Sequence, residues 1–321
     1  MEKVEEVEKV EKQKDFFKLN LLEIKKVLFD LNMELKDIPS GNESYCSQLI
    51  YLIISKCWND YDKRYSEFDL DHGQKHIHDM MIRNFNILSW YIKINGFEEF
   101  QKIGIKNINV LFYVVGVAAI FHDLFQEENR LHHHELAALY AEKIQTFIRK
   151  QYDIVDGKLV GEYRVMDWEY KFRSLGKSKL VALLCKEHRA SFNGEFSNIL
   201  CEIFSAADRD TLDLKTVIQR SYSYTKKRRE VNPRRNIIIE IGGTQYYVDK
   251  LMRDLITNDW EFEKVEVFYH IIDKFSKVGY MFTNIKPNGI FMEYYKNDIQ
   301  KFWDEIDHLI THPLSFEDYL K

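Results

Sequence analysis

The chain has 321 residues, of which 45% are hydrophobic and 30% charged, with a formal charge of −5 at pH 7. That balance excludes a disordered chain, suffices for one large helical domain or two, and argues against recruitment of nucleic acid by the molecule as a whole. With only four prolines and 13 glycines, long helices joined by short connections are expected.

Residues 1–14 are nearly all Glu, Lys and Val and read as a solvated terminus without the apolar stretch of a signal peptide. Residues 15–36 carry Phe16, Phe17, Leu19, Leu22, Ile24, Val27, Leu28 and Leu31 at helical spacing, broken by Pro39-Ser40-Gly41. A second helix is expected over 44–58. The acidic, aromatic stretch Tyr61–Gly73 reads as irregular, and helical spacing returns over Gln74–Tyr91 through Ile77, Met80, Met81, Phe85, Ile87, Leu88 and Trp90. After a break at Asn95-Gly96, an apolar run from Val110 predicts a buried helix that stops at His122-Asp123. At about fifteen residues it falls short of the ~20 needed to span a membrane.

Leu136–Ile148 is expected to be a helix whose apolar face holds Leu136, Leu139, Ala141, Ile144 and Phe147; residues 151–174 resist assignment. Lys177–His188 and Phe196–Ala207 read as two further helices. Past Thr225 comes a basic cluster, Lys226-Lys227-Arg228-Arg229 with Arg234-Arg235, read as a solvated face. Two β-rich runs within Asn236–Val248 flank Gly242-Gly243, a hairpin signal. Helices resume at Asp249–Asn258, Lys264–Met281 and Lys296–His308. The expected organisation is an N-terminal helical extension (1–60), a core (61–225), and a hairpin with helices packing on that core (226–321). The fold class is all-α with a small C-terminal β-hairpin.

Metal-type side chains gather at the predicted helix ends. They are His72 and His76 in Asp71-His72-Gly73-Gln74-Lys75-His76, the doublet His122-Asp123, the run His132-His133-His134-Glu135, His188, and Asp208 in Ala206-Ala207-Asp208-Arg209. Eight of the eleven histidines lie between His72 and His188, which a random scatter would not produce. Imidazole and carboxylate are the ligands that divalent transition metals accept. His72 and His78 read as structural. The four cysteines, Cys46, Cys57, Cys185 and Cys201, form no CxxC pair, and reduced buried thiols in a soluble, cytoplasmic protein are expected.

In order and spacing these motifs resemble the HD-domain superfamily of metal-dependent phosphohydrolases, over residues 60–225, about half the chain. The resemblance implies an all-helical bundle in which His76, His122, Asp123 and Asp208 hold a divalent metal. His134, in His-Glu-Leu-Ala-Ala, and His188, in Lys-Glu-His-Arg, fall where members add histidines for a second metal or for the phosphate. Leu124-Phe125-Gln126-Glu127 stands where a Lys or Gly commonly follows the doublet, and Asp79 where an Arg is common, so substrate class stays open.

Mixed imidazole and carboxylate ligands suit manganese, iron, cobalt, nickel or zinc, with magnesium less favoured, as one ion or two. The expected activity is hydrolysis of a nucleotide or another small phosphoester by a metal-bound hydroxide. Asp123 would ligate and orient, His134 and His188 would bind a second metal or act on the phosphate, and Arg189 and Arg209 would pair with phosphate oxygens. Two other readings fit the same motifs: a non-catalytic nucleotide-binding or regulatory scaffold, and a nuclease that uses Lys226–Arg235. Neither a membrane nor nucleic acid is expected as a partner, and the sequence leaves the oligomeric state open.

Overall fold

The computed structural model describes residues 21–35, 54–55, 57–59, 61–66, 72–147, 153–155, 158–160, 177–189, 192, 194–209, 212–228, 237–257, 260–283, 285 and 288–320. Their regular elements are helices apart from two short hairpins, an all-α architecture. The chain divides into two compact units, Met1–Asp208 and Arg209–Lys321. The expected boundary after residue 225 falls inside a helix, Leu214–Arg228. Among the described residues no helix is long and apolar enough to cross a membrane.

In the first unit, α1 (Leu21–Glu34) buries Ile24, Leu28 and Leu31 and leaves Leu22, Phe29 and Met33 outside. Residues 61–66, expected to be irregular, are helical. The acidic composition hides a period: Trp58 and Tyr65, seven apart, stack with ring centroids 5.7 Å apart, and Tyr65 is buried. α2 (Gln74–Asn95) ends at Gly96, whose φ of 79° a side chain would resist. A short helix, α3 (Glu98–Lys102), leads to α4 (Ile108–Phe121). Asn107 caps α4 by accepting the Val110 N–H at 3.0 Å, and every residue of α4 except Val110 is buried. Each fully buried Leu, Ile, Val or Phe there contributes roughly 1.5–3 kcal/mol.

α4 is the axis of this unit. It packs against α2 on one side, with Phe85 edge-on to Phe112 at 5.2 Å, and against α6 (Ser178–Glu187) on the other. α6 in turn packs on α5 (His133–Phe147) and α7 (Ile199–Asp208), and α7 returns to α2. Within the stretch that resisted assignment, β1 (Asp153–Val155) pairs antiparallel with β2 (Lys158–Val160).

The second unit holds α8 (Leu214–Arg228), the hairpin β3 (Ile238–Ile241) and β4 (Thr244–Tyr247), and α9 (Val248–Thr257). The hairpin turns at Gly242-Gly243 as expected, with φ of 56° and 79°, and pairs Ile238 with Tyr247 and Ile241 with Thr244. Two positive φ values define the turn that matches strand twist. Ile239 is the fully buried side chain of β3. The single helix expected over Lys264–Met281 is instead α10 (Phe262–Phe275) followed by α11 (Tyr280–Thr283). Gly279 folds back onto the end of α10, so closely that a Cβ would lie 2.5 Å from the Lys274 carbonyl oxygen. α12 (Ile290–Tyr294), α13 (Lys296–Thr311) and α14 (Phe316–Leu320) follow, and Phe316 packs on Trp260 and Phe268. The side chains of the basic cluster, residues 226–235, lie outside the described residues.

Candidate metal centre

α4 runs apolar to its last turn and then delivers His122 and Asp123. The last carbonyls of a helix have no intrahelical partner, and here each finds another. The His122 N–H closes on Ala118 O at 2.9 Å, His122 Nδ1 donates to Ala119 O at 2.8 Å, and Leu124 N donates to Phe121 O at 3.1 Å. Both doublet side chains are buried in the first unit, in a place where four other segments end or begin.

Asp123 is the hub. Its Oδ2 lies 2.7 Å from His72 Nδ1, 3.4 Å from His122 Nε2 and 3.7 Å from His76 Nε2. Its Oδ1 lies 3.2 Å from His133 Nε2 and 3.8 Å from His188 Nε2. Asp208, at the end of α7, places Oδ1 3.3 Å from His76 Nε2 and 3.6 Å from His122 Nε2. His76 and His122 face each other at 3.2 Å, and His133 and His188 at 3.3 Å, all through Nε2.

Backbone geometry fixes the tautomers. A carbonyl oxygen only accepts, so His122, His133 and His188, whose Nδ1 atoms reach Ala119, Arg130 and Cys185 carbonyls at 2.8, 2.9 and 2.6 Å, carry their protons on Nδ1. In the neutral rings the three Nε2 lone pairs then point into the cluster, toward two carboxylates. This is the orientation of imidazole ligands braced by a second hydrogen bond. Lone pairs so close to one another repel unless a cation sits among them.

The electrostatics disfavour a proton in that role at His188. Burial pushes the His188 imidazole down to about 3, although Asp208 opposes the shift. Burial alone would raise Asp123, but the imidazoles of His122, His72 and His133 around it hold its carboxyl well below the usual carboxylate range. Asp208 behaves alike: burial is outweighed by the facing imidazoles of His122 and His76. Three helices, α4, α6 and α7, direct their negative C-terminal ends here, and two, α2 and α5, their positive N-terminal ends. Inward-facing imidazoles and two ionised carboxylates make a donor set for a metal ion. Three groups can hold one: His72, His76 and Asp123; His76, His122 and Asp208; and His122, Asp123 and His188, with ligand atoms of each group within 4.8 Å of one another.

No family model matches the chain, and no curated protein or solved structure matches it either.

Of the residues singled out from sequence, His76, His122, Asp123, His188 and Asp208 converge. His134 does not: it is half-buried at the first turn of α5, its neighbour His133 turns inward instead, and no contact links it to Asp123. The cause is the buried face of α5, which carries Ala137 and Ala141 rather than Leu139. His133 lies four and eight residues before those alanines and shares their face. His72, read as structural, makes the shortest contact to Asp123 in the cluster. His78 lies apart, with Nδ1 3.0 Å from Asp79.

The two arginines expected to meet phosphate each bond a backbone carbonyl. Arg189 Nη1 donates to Leu131 O at 2.7 Å, bracing the connection that leads into His133. Arg209 is buried, with Nη1 3.5 Å from Met281 O in the second unit. Further side chains set the ligand-bearing ends. Arg83 Nε donates to Ala207 O at 2.8 Å beside Asp208, and Ser205 Oγ donates to His188 O at 2.9 Å. Glu187 accepts the Ser197 N–H at 2.9 Å, joining the end of α6 to the approach to α7.

Proposed function

We propose that this chain is a metal-dependent phosphohydrolase acting on a nucleotide or another small phosphoester. The observation that carries the reading is the divided Asp123 carboxylate, with one oxygen among His72, His76 and His122 and the other between His133 and His188. The order of its motifs, which resembles that of HD-domain phosphohydrolases, supports the same reading.

His76, His122, Asp123 and Asp208 are assigned to one divalent ion, and His133, His188 and the second Asp123 oxygen to another. Manganese, iron, cobalt, nickel or zinc suits such mixed ligands. When bound, such an ion supplies an acidified water and a Lewis acid for a phosphoryl oxygen. The Nδ1–H bonds of His122, His133 and His188 keep their Nε2 atoms directed inward, so little reorganisation accompanies binding. Asp123, ionised at neutral pH, orients the groups around it. His72, whose side chain is 33% exposed, holds a proton on Nδ1 against Asp123 and stands nearest to solvent among Asp123's imidazole neighbours.

Elemental analysis of the purified protein, followed by a screen of phosphomonoesters, cyclic nucleotides and nucleoside triphosphates with the metal found, tests the reading. Chelator-sensitive turnover that is lost in His122→Ala is expected. A fully metallated sample that turns over none of them, yet melts at higher temperature with a nucleotide, would instead make the chain a non-catalytic nucleotide-binding scaffold.

A further inference from the structure

The doublet is gripped from outside its ligand set. The short helical stretch 61–66 presents two adjacent side chains to the backbone that carries His122 and Asp123. The Tyr65 hydroxyl donates to Ile120 O, two residues before His122. Arg64 Nε donates to Leu124 O, the residue after Asp123. The two carbonyls lie on either side of the doublet, so the intervening peptide planes are anchored at both ends.

Each anchor is itself fixed. Tyr65 is buried and stacks on Trp58. The Arg64 guanidinium lies 5.2 Å from the centre of the Phe125 ring and pairs with Glu128. Both hydrogen bonds end on backbone carbonyls, not on a ligand side chain. Yet both act on a turn whose rotation would swing the Asp123 carboxylate, and metal–ligand distances tolerate only ~0.2 Å.

We propose that Arg64 and Tyr65 are positioning residues of the metal centre, setting the direction in which Asp123 divides its two oxygens. This rests on the reading of the cluster as a metal site. It differs from simple helix capping because its effect is on the geometry around the ion and not only on stability.

The test uses the full chain loaded with cobalt(II), comparing wild type with Tyr65→Phe, which keeps the ring, and Arg64→Lys, which keeps the charge. Ser66→Ala is the control, since its hydroxyl serves Lys63 O on the same stretch. Visible absorption of the bound cobalt reports ligand geometry, chelator competition reports affinity, and melting of the metal-free protein reports stability. The expected result is a displaced cobalt spectrum and roughly 10–100-fold weaker retention in both variants, as for other groups that orient ligands, with Ser66→Ala unchanged. Wild-type spectrum and affinity in both variants, even with a lowered melting temperature, would reduce Arg64 and Tyr65 to capping groups and overturn the proposal. Failure of the wild type to take up cobalt is a separate outcome, which removes the metal site itself. Should Tyr65→Phe not fold, Arg64→Lys decides alone, because that side chain is about a third exposed.

Discussion

His133 and His188 meet nitrogen to nitrogen, with Nε2 atoms 3.3 Å apart and each Nδ1 proton committed to a backbone carbonyl. Two such nitrogens held face to face beside Asp123 Oδ1 offer a place for a cation between them. His133→Ala and His188→Ala are therefore expected to lose the same share of bound metal, while His134→Ala keeps the wild-type content. Elemental analysis after dialysis against a weak chelator measures this. Loss in His134→Ala but not in His133→Ala would reverse the assignment of α5.

Asp123→Ala is expected to abolish metal retention without unfolding the helices. The carboxylate serves both histidine sets, and no neighbour replaces its charge. Affinity falls on the order of 10²-fold or more, beyond the 10–100-fold typical of groups that merely orient ligands. Far-UV circular dichroism and metal content, measured on one sample, separate loss of the ligand from loss of the fold. Wild-type metal content in the variant would remove Asp123 from the site.

Acid destabilises the metal-free protein from near neutrality downward. His188 sits at about 3 when folded against 6.5 for the free side chain. Between those values the unfolded chain binds a proton that the folded chain does not, so stability declines as pH falls from 6.5 toward 3, by at most about 1.4 kcal/mol per pH unit. Asp123 and Asp208, held below 3.8 in the fold, add their loss as pH drops through that value to their folded pKa values. Urea midpoints in the presence of chelator, between about pH 7 and pH 4, are expected to fall more steeply for wild type than for His188→Gln. Parallel curves would show that His188 is not buried neutral.

Gly243→Ala is expected to destabilise the second unit by about 1–2 kcal/mol, since φ is 79° and nothing lies within 4 Å of the added methyl. The whole effect is then backbone strain, so Gly243→Asn costs less. Thermal melts of the two variants give the comparison. Equal losses would point to a contact rather than to φ.

The sequence made the axis of the first unit legible because α4 is apolar all round and stops at two polar residues. His76, His188 and Asp208 were legible because a motif order, not a spacing, drew them together. His133 was hidden by its neighbours: three consecutive histidines point ~100° apart, and choosing among them requires the buried face of α5. Leucines suggested the wrong face, since Leu139 is exposed while Ala137 and Ala141 are buried where α5 and α6 approach. His72 shares a helical face with His76 but precedes the helix, so periodicity did not reach it. The break between α10 and α11 was invisible because Gly279 matters through a contact with the Lys274 backbone, which no local pattern encodes.

The cluster draws on five stretches of chain, from His72 to Asp208, each at the tip of a helix. Helix tips normally fray one at a time. Ions held by these tips, joined through the shared Asp123 carboxylate, would act as reversible cross-links over loops of dozens of residues and restrict the open ensemble much as covalent bridges do. Amide hydrogens in the first turns of α2 and α5 and the last turns of α4, α6 and α7 would then exchange together, at a rate set by the free concentration of the metal.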